Sequence, residues 1–123
     1  MRAPITKKVP VAPPMKPLAE KQCAPCEGGV KPLTSAKARL MRQKLHRDWK
    51  LADDSKSLKR SLKFKDFYRT MSFVNAVAYI ANTEDHHPDL EVGYDYCRVT
   101  YSTHSIGGLS VNDFICAAKL DRL

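Results

Sequence analysis

Apolar residues recur along this chain with two different periods, and the changes of period mark out its elements. From Asp66 to about Thr83, the positions Phe67, Met71, Val74, Ala78 and Ala81 step by three and four, with Tyr68, Val77 and Ile80 widening the stripe. That spacing predicts the longest helix. A shorter helix is predicted over Ala36 to Leu45, capped by Thr34 or Ser35, with Leu40, Met41 and Leu45 as its stripe. A third follows Ser110, with Val111, Phe114, Ile115, Ala118 and Leu120 mostly buried. Elsewhere the period falls to two. A strand begins at Asp48-Trp49-Lys50-Leu51, Asp53-Asp54-Ser55 turns the chain, and Ser57 to Phe64 puts Leu58, Leu62 and Phe64 on one face. Arg60 interrupts that apolar face. Leu90 to Tyr94 and Cys97 to Thr103 are two further strands, the second with Cys97, Val99, Tyr101 and Thr103 on one side. Ile106-Gly107-Gly108-Leu109 is a tight bend.

The resulting order is helix, strand, strand, helix, strand, strand, helix. Short connections within each strand pair favour hairpins. The expected class is α+β, a four-stranded antiparallel sheet with about three helices on one face. The bare face and edges of such a sheet must be covered or charged, and dimerisation is a natural solution.

Composition changes the picture mainly at the N-terminus. Residues 1–33 hold seven of the eight prolines and no apolar period, which reads as an irregular leader preceding a single domain over 34–123. Met15 lies inside that leader, so residues 1–14 read as an extension. Neither a secretory apolar region nor a run near the ~18 residues of a membrane span is present, and the expectation is a cytoplasmic protein without a membrane partner. The net charge of +8 is uneven: +4 over residues 1–33, +7 over 34–64 and −3 over 65–123. A basic first half could attract nucleic acid or an acidic protein. No nucleic-acid motif or interleaved aromatic accompanies it, and a solvated Lys/Arg face is the favoured reading.

Of the four cysteines, Cys23-Ala24-Pro25-Cys26 is a lone C-x-x-C, while Cys97 and Cys116 are not paired by spacing. A structural zinc site would need a second such couple. A redox motif should open a helix, whereas Pro25 and the following Glu27-Gly28-Gly29 read as loop. Structural thiols, a metal and a redox pair all remain open.

The histidines carry more. Glu84-Asp85-His86-His87-Pro88 lies at the exit of the long helix, because Pro88 cannot continue it and biases His87 away from the α region. Ser102-Thr103-His104 ends a strand. Three chemistries fit. His86, His87 and His104 could be metal ligands, although adjacent histidines diverge on an extended backbone. They could be structural. Or they could perform metal-free acid–base catalysis, since imidazole both donates and accepts protons near neutral pH. Asp85, Asp113 and Glu84 are candidates to orient the imidazoles; Asp113 equally suits the first turn of a helix.

Together, Glu84-Asp85-His86-His87-Pro88, Tyr94, Thr103-His104, Gly108-Leu109-Ser110 and Asp113-Phe114-Ile115 resemble the pterin-4a-carbinolamine dehydratases. Leu18-Ala19-Glu20-Lys21, Cys23 to Gly29, Pro32-Leu33-Thr34, Phe64-Lys65-Asp66-Phe67 and Phe73-Val74 are similar to the bacterial branch, and the resemblance covers about residues 15–123. It implies dehydration of a 4a-hydroxytetrahydropterin to quinonoid dihydropterin during tetrahydropterin recycling. It further implies no cofactor beyond the pterin substrate, a homodimer or homotetramer, and an aromatic amino-acid hydroxylase as a possible partner. Position by position it assigns His86, His87 and His104 to the active site, with His87 and His104 as the acid–base pair and His86 binding the pterin. Asp113 matches the family's downstream aspartate, and Thr103 and Ser105 could offer backbone groups to the pterin edge. One departure stands out: Asn82 occupies a position where the family commonly carries a carboxylate. Leu90 also stands where some relatives carry an aromatic. The alternative function is a non-catalytic dimerisation or regulatory protein of a hydroxylase or transcription factor, since the resemblance implies that animal relatives also act as dimerisation partners of a homeodomain transcription factor.

Overall fold

The computed structural model describes residues 16–26 and 30–123. The expected extension at 1–14 and the loop reading of Glu27-Gly28-Gly29 lie outside them. In chain order the elements are a 3-10 turn (Leu18–Glu20), α1 (Ser35–Arg42), β1 (Lys50–Leu51), β2 (Leu58–Lys63), α2 (Phe67–Glu84), β3 (Asp89–Val92), β4 (Tyr96–Tyr101), a second 3-10 turn (His104–Ile106) and α3 (Val111–Leu120). The sheet order is β1-β2-β4-β3, antiparallel throughout, with Leu58 opposite Tyr101 and Leu90 opposite Val99. The α+β class, four strands and three helices match the sequence pattern.

Alternation on β4 decides which way the sheet faces. Cys97, Val99 and Tyr101 are fully buried, whereas Arg98 between them is exposed. The buried side joins Leu58, Trp49, Val77, Phe114 and Ile115 in one core. On the other side Arg98 reaches Glu91 and lies over the Tyr96 ring, so the bare face carries charge instead of apolar surface.

The interruption at Arg60 has a partner far along the chain. Its guanidinium meets Asp121 Oδ1 at 2.6 Å, and the Trp49 indole N–H donates to the same oxygen. Asp121 is the C-cap of α3. A cation beside that helix end also suits its dipole.

Several stripe residues turn outward. Leu40 and Tyr68 are 60% and 86% exposed, Phe67 and Val111 are also exposed, and α1 instead buries Ala38 and Met41. A period of 3.6 fixes a face only to within a residue or so, and α2 buries just Thr70, Val77 and Ala81 fully. The first strand shortens to two residues because the Trp49 N–H closes a turn onto His46 O, outside the ladder, while its side chain is buried in the core. Leu18, in the proline-rich leader, is buried in the core.

Candidate active site

Three chain reversals bring the candidate residues together. At the end of α2, Asp85 adopts the left-handed conformation (φ 51°) and the His86 N–H donates back to Ala81 O. This is a Schellman-type stop, and aspartate is one of the few L-residues that enters that region at modest cost. The reversal sends His86 inward and leaves His87 on the outer side. After β4, Thr103 bridges to Gly108, enclosing the turn that carries His104; Gly107 closes it at φ 68°, where a side chain would be strained. Ser110 then starts α3, and its N–H donates to Asp113 Oδ2.

His86, His87 and His104 all border one cavity of about 460 Å³. They differ in how firmly they are held. The His86 Nε2 is 2.6 Å from Asp113 Oδ1, and its ring lies parallel to Tyr101 with centroids 5.9 Å apart. Asp113 is fully buried and also accepts from the Thr103 hydroxyl and the Ser110 N–H. It therefore serves both readings proposed for it, as a helix N-terminal carboxylate and as the anchor of an imidazole. His87 Nε2 donates to Asn82 Oδ1 at 3.1 Å. That contact selects the Nε2–H tautomer in neutral His87 and leaves Nδ1 as the basic nitrogen. Asn82 thus acts on His87, not on His86. His104 is exposed at the cavity rim.

The remaining candidates separate. Asp85 lines the cavity and turns the backbone. Thr103 corrects the sequence reading: its N–H donates to Gly108 O and its carbonyl accepts from Gly108 and Ile106, so its backbone groups are engaged and its hydroxyl is turned to Asp113. Ser105 lines the cavity, and its hydroxyl donates to Cys26 O. Glu84 does not substitute for the missing carboxylate beside a histidine; its Oε1 accepts from Cys23 N–H, and its Oε2 is 4.0 Å from Lys119 Nζ. Among the described residues no group of three or more His, Cys, Asp and Glu converges to hold a metal ion. A roomier cleft of about 550 Å³ runs past Lys16, Lys44 and Arg122 and is bordered by His46, away from the three clustered imidazoles.

Sequence reading missed one whole side of the cavity. Cys23, Ala24, Pro25 and Cys26 line it, as does Asn112. The C-x-x-C spacing drew attention to metal or redox chemistry, whereas Cys23 Sγ lies 3.5 Å from Cys116 Sγ on α3. The Cys116 thiol is pushed well up from its ordinary value, first by its hydrogen bond with Cys23 and then by burial; burial also raises Cys97 and Tyr101. The folded protein therefore keeps protons that the unfolded chain releases, and stability drains away as pH rises past the ordinary thiol value of 9.0. The melting temperature is expected to fall between about pH 8 and about pH 10 and to fall less in Cys116→Ala; a variant with an undiminished slope would show that the thiol is not responsible.

The family model described as pterin 4 alpha carbinolamine dehydratase matches residues 31–123. A protein of Nitrosomonas europaea, provisionally named pterin-4-alpha-carbinolamine dehydratase, is 55% identical over 106 residues, covering 86% of this chain and 92% of that one. A Legionella pneumophila (strain Corby) protein of the same provisional name is 52% identical, with 86% and 94% covered. The crystal structure of a transcriptional coactivator/pterin dehydratase from Brucella melitensis superposes with a TM-score of 0.70 at 32% identity, covering 75% of this chain and 97% of that one. A pterin dehydratase-like RuBisCO assembly factor of the alpha-carboxysome shares the fold at a TM-score of 0.54 and 20% identity, over 63% of this chain and 89% of that one.

Proposed function

The chain belongs to the pterin-4-alpha-carbinolamine dehydratase family, and from that premise we propose that it dehydrates a 4a-hydroxytetrahydropterin to quinonoid dihydropterin and water by histidine acid–base catalysis. One observation carries the reading: His87 and His104 border the same cavity from two different chain reversals while His86 is tied down by Asp113. In the forward reaction one imidazolium gives its proton to the departing hydroxyl, and the carbon–oxygen bond breaks to release water. A neutral imidazole takes the proton from a ring nitrogen, whose electrons form the new carbon–nitrogen double bond. Solvent then restores both protonation states. We assign acid and base to His87 and His104, and pterin binding to His86, whose orientation Asp113 sets. Asn82 holds the His87 tautomer without adding charge.

The wider reading is tetrahydropterin recycling in the cytoplasm, next to an aromatic amino-acid hydroxylase. A homodimer or homotetramer is part of it: β1 and β3 are the sheet edges, and Phe67, Tyr68 and Tyr79 leave aromatic surface exposed on α2. Light scattering of the purified protein tests that assembly, and a monomer would remove it.

The test of the activity is dehydration of a 4a-hydroxytetrahydropterin generated in situ by a hydroxylase and followed by ultraviolet absorbance. A rate well above the spontaneous one is expected. A rate equal to buffer would reject the enzyme and leave the regulatory role.

A further inference from the structure

Residues 23–26 come from the proline-rich leader, yet they are pinned by side chains that neighbour the histidines in sequence. Glu84 Oε1, two residues before His86, accepts from Cys23 N–H at 2.8 Å. Ser105, next to His104, donates to Cys26 O at 3.1 Å. Asn112, next to Asp113, makes the central contact: its Oδ1 accepts from Ala24 N–H at 3.0 Å, and its Nδ2 donates to Ala24 O. This pairing satisfies both backbone groups of one residue, as a neighbouring strand would. Cys23 Sγ is seated against Asn112 O and Cys116 Sγ at 3.7 and 3.5 Å. Further along, Leu33 N–H donates to Leu109 O, and Pro32 packs so close to Gly108 that an added Cβ would lie 2.7 Å from its ring.

Three elements, α2, the second 3-10 turn and α3, thus converge on a four-residue segment that has no regular structure of its own. Asn112 is buried, although the ordinary place for an asparagine in the first turn of a helix is solvent. Its burial is explained by the two backbone groups it satisfies. The segment lines the same cavity as the histidine turns, so its position shapes the site.

We propose that segment 23–26 is a substrate-contacting wall of the pterin site, and that Asn112 and Glu84 are positioning residues that hold it there. The wall rests on the dehydratase reading above and extends it by naming a specificity element that lies outside the histidine motif. Its contribution is to binding: it closes against the bound pterin, whereas the proton transfers belong to the imidazoles. Glu84 acts through its acceptor oxygen, not through its charge.

Three variants and one labelling experiment test this. Asn112→Ala is expected to raise KM about tenfold, with kcat changed by less than about threefold, since the lost contacts act on binding and not on the transition state alone. Glu84→Ala is expected to act in the same direction, and Glu84→Gln, which keeps the acceptor, to recover most of the loss. If Glu84→Gln raises KM as much as Glu84→Ala does, the carboxylate is acting through its charge and the proposal fails for that residue. Independently of turnover, 7,8-dihydrobiopterin should slow iodoacetamide labelling of Cys26 in the wild type, and do so less in Asn112→Ala. Labelling that the probe leaves unchanged would overturn the wall, as would an unaltered KM in Asn112→Ala. Should that variant fail to fold in a thermal melt, the Glu84 pair decides. A wild type that neither turns over nor binds the probe rejects the dehydratase reading itself; a fully active wild type beside an equally active Asn112→Ala rejects only the wall.

Discussion

Replacing His87 or His104 by alanine is expected to lower kcat by about 10³-fold, the usual contribution of one positioned acid or base. KM should move far less, because both rings border the cavity from its exposed side and neither is part of the buried network. His86→Ala should behave differently. It removes the ring that stacks on Tyr101 and strips Asp113 of its imidazole partner, so weaker pterin binding and a lower melting temperature are expected together. Steady-state kinetics on the three variants separates these roles. Equal losses in kcat and in affinity for His87→Ala and His104→Ala would overturn the assignment. Asn82→Ala should leave KM near its wild-type value and reduce kcat modestly, by loosening the tautomer of His87 and not its charge.

Asp113→Ala should be the most damaging single change to the fold. The carboxylate is inaccessible to water and receives the His86 ring, the Thr103 hydroxyl and the Ser110 N–H. Deleting it takes the acceptor from two buried groups and the half-buried His86 ring. Each buried hydrogen-bonding group left unsatisfied costs about 1–3 kcal/mol, so the loss of several together is a large part of the stability of a small domain. At roughly 4–8 °C per kcal/mol, the melting temperature should drop by more than about 10 °C. Asp113→Asn retains the volume and one acceptor oxygen and should lie between the two. A melt of Asp113→Ala within about 2 °C of wild type would mean that the network carries little of the fold.

The elements were readable wherever burial imposes a period. Alternation from Cys97 to Tyr101 announced β4 and its inward face, and the steps of three and four from Phe67 announced α2. The direction of the stripe was less readable, and Leu40 and Tyr68 show why: an apolar residue at the margin of a helical face is buried only if a neighbour covers it. Arg60 was visible as a breach in the pattern of β2, but its answer, Asp121, is 61 residues away and has no local signature. The same holds within the site. The histidines could be found because two short motifs contain them. Asn112 and the leader segment could not, because an asparagine that binds backbone groups 88 residues earlier leaves no period, no charge pattern and no spacing rule. Asn82 could be noted as an unusual residue, but its partner depends on the left-handed turn at Asp85, which directs His87 back to it and His86 away.

The leader's attachment to α3 has a consequence for biosynthesis. A ribosome releases the chain from the N-terminus, so Cys23 and Ala24 emerge long before the residues that bind them, at separations of 61 for Glu84, 88 for Asn112 and 93 for Cys116. The leader has no docking partner on α3 until that helix is out. Contacts of such long sequence separation form late. A chain truncated before α3 would therefore leave the leader without its contacts on Asn112 and Cys116, and the cavity without the lining that residues 23–26 supply.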